Sequence, residues 1–138
     1  MKKMSRRSSC TTALFVLIFV IPYIGWNSYI LFTMYTDTGR AILAKSIFED
    51  LLESNRIPLE ITDVSNVRQV GEWEQIKDYA TEDMDLKQFD ALDHSGKLYQ
   101  GVGEFRSKED NSTFQKNICI YQINKHAIEH ETYAFGCK

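Results

Sequence analysis

The sequence predicts an α+β protein with one N-terminal transmembrane helix followed by a small exported domain, in which an amphipathic helix packs on an antiparallel sheet of about four to five strands. Three observations carry this. No charged residue lies between Arg7 and Asp37. Beyond Pro58 the hydrophobic pattern changes from helical spacing to alternation. The C-terminal half is a series of short alternating segments separated by polar turns. A chain of 138 residues has room for one modest domain plus an anchor. The expected division is a basic tail over 1–10, the membrane helix over 11–36 and the α+β domain over 37–138.

The apolar stretch from Ala13 through Tyr35 is long enough to cross about 30 Å of hydrocarbon as a helix. Lys2, Lys3, Arg6 and Arg7 precede it with no acidic residue, so the positive-inside rule places the N-terminus in the cytoplasm and everything after about Thr36 outside. A cleaved signal peptide shares the basic start and apolar run. It is opposed by the length of the run, by Trp26 and Tyr35 as membrane-interface anchors, and by the lack of an A-x-A-like site close behind. Pro22, Gly25, Asn27 and Ser28 interrupt the segment midway, where they would kink it, offer a partner helix a polar surface, or simply be tolerated.

Charge divides by side. The tail carries +4, leaving 12 of the 16 Lys and Arg against all 19 Asp and Glu, a balance of −7 over residues 37–138. An acidic exported domain is poorly suited to nucleic acid or anionic lipid and favours a partner with a basic face. The ten-residue tail is too short to be a DNA-binding domain. Cys119 and Cys137 fall in the exported part, where an even pair in an oxidising compartment forms a disulfide; Cys10, at the cytoplasmic edge, is expected to be an inert free thiol or, less simply, an acylation site.

Element by element, Thr38–Ser54 places Leu43, Ile47, Phe48, Leu51 and Leu52 on one helical face, with core packing the expected use. Pro58 ends that helix, and Leu59–Val64 alternates as a strand apart from Asp63 and Val64. Residues 67–87 are mixed: Val67, Val70 and Trp73 have helical spacing, Gly71 interrupts, and Thr81 would cap a short helix. A meander comes next, with strands Gln88–Leu92 and Leu98–Arg106, turns at Asp93–Gly96 and Lys108–Ser112, and a terminal hairpin of Asn117–Ile123 with Thr132–Cys137. With Cys119 opposite Cys137, Tyr121 would face Phe135 and Ile123 would face Tyr133.

Catalytic motifs are missing: no G-x-S-x-G, H-E-x-x-H or C-x-x-C occurs, so the expectation is a non-enzyme with no cofactor and no metal. Gly101-Val-Gly103 lies in a strand and suits a bulge or close packing better than a phosphate loop. The nearest approach to a site is His126-Ala-Ile-Glu-His130-Glu131. Its histidines have helical metal-ligand spacing but sit in an expected hairpin loop, so solvated loop histidines are the simpler reading, with acid sensing the alternative. Asn111-Ser-Thr113 matches a glycosylation acceptor, relevant only in a eukaryotic source.

A basic tail, a single span, an exported domain of this size and a terminal cysteine pair, Cys119 and Cys137, together resemble the small bitopic inner-membrane co-regulators of membrane-bound transcription activators, the TcpH, ToxS and PsaF type, with TcpH the nearest in size and cysteine placement. The resemblance implies a bacterial inner-membrane protein with a periplasmic C-terminal domain. Such a domain, and possible contacts of the membrane helix, would bind a single-pass activator, protect it from proteolysis and relay envelope signals. It also implies a bile-salt or fatty-acid ligand shared with the partner, with no residue here to assign to it. A structural component of a secretion or pilus assembly shares the topology, although the prepilin feature is absent. An immunity-type inhibitor with an acidic domain is the third class.

Overall fold

A computed structural model describes residues 16–126 and 129–138; the basic tail, Cys10 and the first part of the expected membrane segment lie outside them. The apolar stretch is helical, a π-helical turn at Val16–Val20 running into α1, Ile21–Tyr35. Pro22 accounts for the wide turn. It has no amide hydrogen, and its ring would strike the carbonyl four residues back in a regular helix, so the preceding turn opens. From Leu17 to Tyr35 the helix is long and apolar enough to cross a membrane, and most of its surface is exposed.

Thr36, with extended backbone (φ −119°, ψ 143°), separates α1 from α2, Asp37–Ser54. One side chain serves both helices. Thr36 Oγ1 donates to Phe32 O (2.7 Å) and accepts from Gly39 N (2.9 Å), closing the last turn of α1 and capping α2. The corner demands glycine at 39, because a Cβ there would lie 2.2 Å from Phe32 O. At its far end α2 closes with Arg56 N on Glu53 O and Ile57 N on Leu52 O, a Schellman arrangement that holds Arg56 left-handed at φ 53°.

Four antiparallel strands complete the chain in the order β1-β2-β3-β4: β1 Leu59–Glu72, β2 Lys97–Ser107, β3 Thr113–His126 and β4 Glu129–Gly136. β1 continues well past Val64, the end expected for it. Its register breaks between Ile61 and Asp63, Ser65 and Arg68, and Gln69 and Gly71. Each break inserts a residue and reverses the alternation, so Ile61, Val64 and Val67, three apart, all turn inward. Of the three residues with helical spacing, Val67 and Val70 belong to this bulged strand and Trp73 follows it. Asn66, left-handed at φ 54°, sits within one of the breaks.

Segment 73–96 corrects the expected meander. A 3₁₀ turn, Trp73–Gln75, leads into α3, Ile76–Tyr79; Gln88–Leu92 is not a strand but part of α4, Lys87–Asp90, and the turn after it. β1 pairs with β2 from Leu59↔Ser107 to Glu72↔Lys97, so no edge of β2 is left for another strand. Thr81 heads a turn, accepting Met84 N (3.1 Å), while Asp85 Oδ1 accepts the amide of Lys87 (3.1 Å) at the start of α4. The expected turn at Asp93–Gly96 is present, pinned by buried Tyr121, whose hydroxyl donates to Asp93 O (2.5 Å) and accepts from Gly96 N (3.1 Å).

Both faces of the sheet are therefore covered. Beneath α2, Ala44, Ile61, Val64, Tyr99, Phe105, Ile118 and Ile120 form one core, joined by Ala41, Phe48 and Leu52. The helix face differs from the expected one: Leu43 and Ile47 are half-buried, Leu51 is exposed, and Ala41 and Ala44 carry the close contact. On the opposite face Leu98, Cys119, Tyr121, Ile123 and Cys137 pack against Ile76, Trp73, Phe89 and Leu92. The architecture is helix, sheet and a layer of short helices rather than one helix over one sheet.

The terminal hairpin forms in a register two residues away from the expected one: Cys119 faces Phe135, Tyr121 faces Tyr133 and Ile123 faces Glu131. A shift of two keeps every side chain on its face. Cys137 lies diagonally from Cys119, at a Cα–Cα distance of 5.8 Å, and the two are disulfide-bonded.

Candidate functional site

Where the apolar helix meets the sheet, polar side chains from α1, α2, β3 and β4 converge on a buried cation. Arg40 is 7% exposed. Its Nε donates to Gln122 Oε1 (3.0 Å), Nη1 to Asp37 Oδ1 (2.9 Å) and Nη2 to Met34 O, while the guanidinium lies 4.0 Å from the centroid of the Tyr99 ring. A guanidinium only donates, so the oxygen of Gln122 must face it and the amide nitrogen must face away. That nitrogen donates to Thr33 O (3.0 Å) and Thr132 Oγ1 (3.2 Å).

The remaining proton positions are fixed in turn. Thr33 Oγ1 donates to Ile30 O (2.9 Å), so it accepts from His130 Nε2 (3.3 Å). Thr132 Oγ1, which accepts from Gln122, gives its hydrogen to His130 Nδ1 (3.0 Å). The network thus assigns a neutral His130 with its hydrogen on Nε2. Among the described residues no buried side-chain nitrogen or oxygen lacks a partner.

Electrostatics favour this state. Burial pushes the His130 pKa below its ordinary value, and burial raises that of Tyr99, with Arg40 opposing the rise. A second hydrogen on His130 would point at Thr132 Oγ1, turning an acceptor into a donor and leaving the threonine hydroxyl hydrogen without its partner. The arrangement holds the end of α1 against β3 and β4, with Thr33 and Met34 fully buried.

The other anticipated residues lie elsewhere. Cys119 and Cys137 are buried at the opposite end of the hairpin. Tyr35 is exposed at the last residue of α1, and exposed Trp26 lies about 14 Å back along the axis, near the middle of Leu17–Tyr35, with its ring 6.2 Å from that of Tyr29. His126 and His130 are not loop residues: His126 ends β3, and His130 lies in β4 with its ring engaged at the junction. Described residues include no group of three or more His, Cys, Asp or Glu able to hold a metal. Gly101 and Gly103 serve close packing, since a Cβ on either would come within 2.9 Å of Val67 or 2.8 Å of Phe105. Asn111 is exposed in the turn before β3, at φ 58°.

Sequence reading missed Thr33, Gly39, Arg40 and Gln122. Two signals were present: Gln122 is the one amide in the apolar run Ile118–Ile123, and Arg40 stands one turn before the apolar face of α2. No family model, no curated protein and no solved structure matches this chain.

Proposed function

We propose that this chain is a non-enzymatic, single-pass accessory protein of a bacterial inner membrane, whose periplasmic domain binds and stabilises a membrane-bound transcription activator, shields it from proteolysis and relays envelope signals. The observation that carries the reading is the polar junction. It makes the apolar helix and the sheet one body, so contacts at either are felt by the other.

Membrane insertion is supported by a helix whose apolar side chains, Ile18, Ile21 and Ile24 among them, are more than half exposed. A cleaved signal is disfavoured by the same junction, because removing α1 would strip Thr33 and Met34 from a folded site and take from Gln122 its bond to Thr33 O and from His130 its bond to Thr33 Oγ1. The positive tail then sets the N-terminus in the cytoplasm, and the −7 balance of the exported part suits a partner with basic character.

The test is deletion of the gene, followed by half-life measurements on single-span regulators and in-cell crosslinking through the exported domain. Shortened half-life of one regulator, and its recovery as a crosslinked partner, is the expected result. Unchanged levels of every membrane regulator would end this reading, and recovery of secretion or pilus subunits would replace it with the assembly-component alternative.

A further inference from the structure

We infer that the outer edge of β4 is a strand-docking site that takes an extended, basic segment of a partner anchored in the same membrane. This rests on the reading of the chain as a membrane-bound binding protein.

The phase of the hairpin decides which groups are free. Cys137 N bonds Asn117 O (3.1 Å), so the odd-numbered residues of β4 exchange backbone bonds with β3, and the amides of His130, Thr132, Ala134 and Gly136 point out of the sheet. β4 has no second neighbour, and among the described residues these four amides have no backbone acceptor. The next outward amide, that of Lys138, is taken by Tyr79 O (2.9 Å). The free edge therefore has a defined end.

The two edges of the sheet differ in protection. β1 is broken by three register shifts and carries left-handed Asn66, features that stop another strand from adding. β4 has no break between His130 and Gly136, no proline, and no Lys or Arg. Its side chains on the α2 side are small at Thr132 and Ala134, leaving the backbone approachable there, while the Lys116 side chain of β3 reaches over Gly136, its Nζ 3.3 Å from where a Cβ would sit. An unguarded, regular edge is the geometry that β-augmentation uses.

Occupancy is argued from position and charge. β4 begins beside Thr33 of α1, which His130 contacts, so the edge starts at the membrane-proximal end and is reached by a chain whose own anchor stands next to α1. The −7 balance of residues 37–138, and a β4 that carries Glu129 and Glu131 but no Lys or Arg, favour a basic strand. A second copy would bring the same negative charge.

The test uses the full-length, isotope-labelled protein in lipid nanodiscs, titrated with an alternating Lys/Val peptide of about seven residues, its Glu/Val counterpart, and a Lys/Val peptide N-methylated at every second residue. With Lys/Val, amide exchange at Thr132, Ala134 and Gly136 should slow by about tenfold or more, while Tyr133 and Phe135, already bonded to β3, stay as they were. The N-methylated and Glu/Val peptides should each bind about tenfold more weakly. Ala134→Pro removes one outward amide at a position where an edge strand accepts proline, and should abolish the response with protection at Tyr121 and Ile123 retained. Should that variant lose the hairpin, the N-methylated peptide decides alone. Slowing at other residues, or equal binding of all three peptides, overturns the proposal. So does protection of these amides that rises with protein concentration without peptide, which makes a second copy the occupant. Regulator half-life in a deletion strain is a separate readout, so this proposal and the co-regulator reading can fail independently.

Discussion

The β3–β4 hairpin is fastened at both ends, at one by hydrogen bonds running through Gln122, Thr132 and His130 to α1, and at the other by the Cys119–Cys137 bond. The covalent end acts chiefly on the unfolded chain, limiting its freedom across 18 residues whatever the pH. The polar end acts on the folded state, and only while every donor meets its acceptor. One fastener supplies stability, and the other sets where the apolar helix stands relative to the sheet.

Removing the covalent end should have the largest effect. Replacing both Cys119 and Cys137 by alanine should lower the unfolding free energy by roughly 2–5 kcal/mol, read from urea denaturation. The contacts of Thr33 with His130 should survive in the folded fraction. Loss of those contacts in the double variant would mean that the two ends are not separable.

Arg40→Leu attacks the other end. It leaves Gln122 Oε1 and Met34 O without their donor inside the junction and should cost roughly 2–3 kcal/mol. Unlike the cysteine variant, it should also make the Thr36 corner sensitive to protease while β3–β4 pairing persists. Equal sensitivity in the two variants would collapse the distinction.

A smaller, pH-dependent effect belongs to the polar end alone. His130 has its pKa lowered from an ordinary 6.5 by burial. An unfolded chain therefore takes up a proton that the folded junction resists, so stability falls as pH drops through the unfolded value, and the loss is complete below the folded one. Above both values this residue contributes no pH dependence. Comparing urea midpoints at about pH 7.5 and about pH 5.5, the drop should shrink in His130→Gln, whereas the cysteine variant should keep it.

The smallest change lies away from both fasteners. Arg56 is left-handed at the end of α2, where glycine carries no steric penalty, so Arg56→Gly should raise stability by roughly 0.5–1 kcal/mol. The gain should add to the loss in either hairpin variant; marked non-additivity would show that α2 couples its ends.

Local signals explain which elements were legible in the sequence. The apolar helix and α2 announce themselves by period and composition, and strands β2, β3 and β4 by alternation around polar turns. The cysteine pair needed only compartment and hairpin, and a register error of two residues left it intact because side chains keep their faces at that shift. β1 misled at Val67, Val70 and Trp73, whose spacing imitates a helix: Val67 and Val70 belong to the bulged strand and join different cores, and Trp73 begins the 3₁₀ turn after it. Gln88–Leu92 misled because alternation over five residues says nothing about whether a sheet edge is open to receive it.

Sequence alone determined the anchor-length apolar helix, the acidic character of residues 37–138, the α+β class and the pair of cysteines that meet. These depend on residues near one another or on totals of charge. Tertiary structure alone decided that both sheet faces are covered, that Gly39 permits the corner, and that the partly buried His130 contacts Thr33, 97 positions earlier. The reason is physical: burial from two sides and a directed chain of hydrogen bonds are properties of groups brought together by folding, and no local pattern records them.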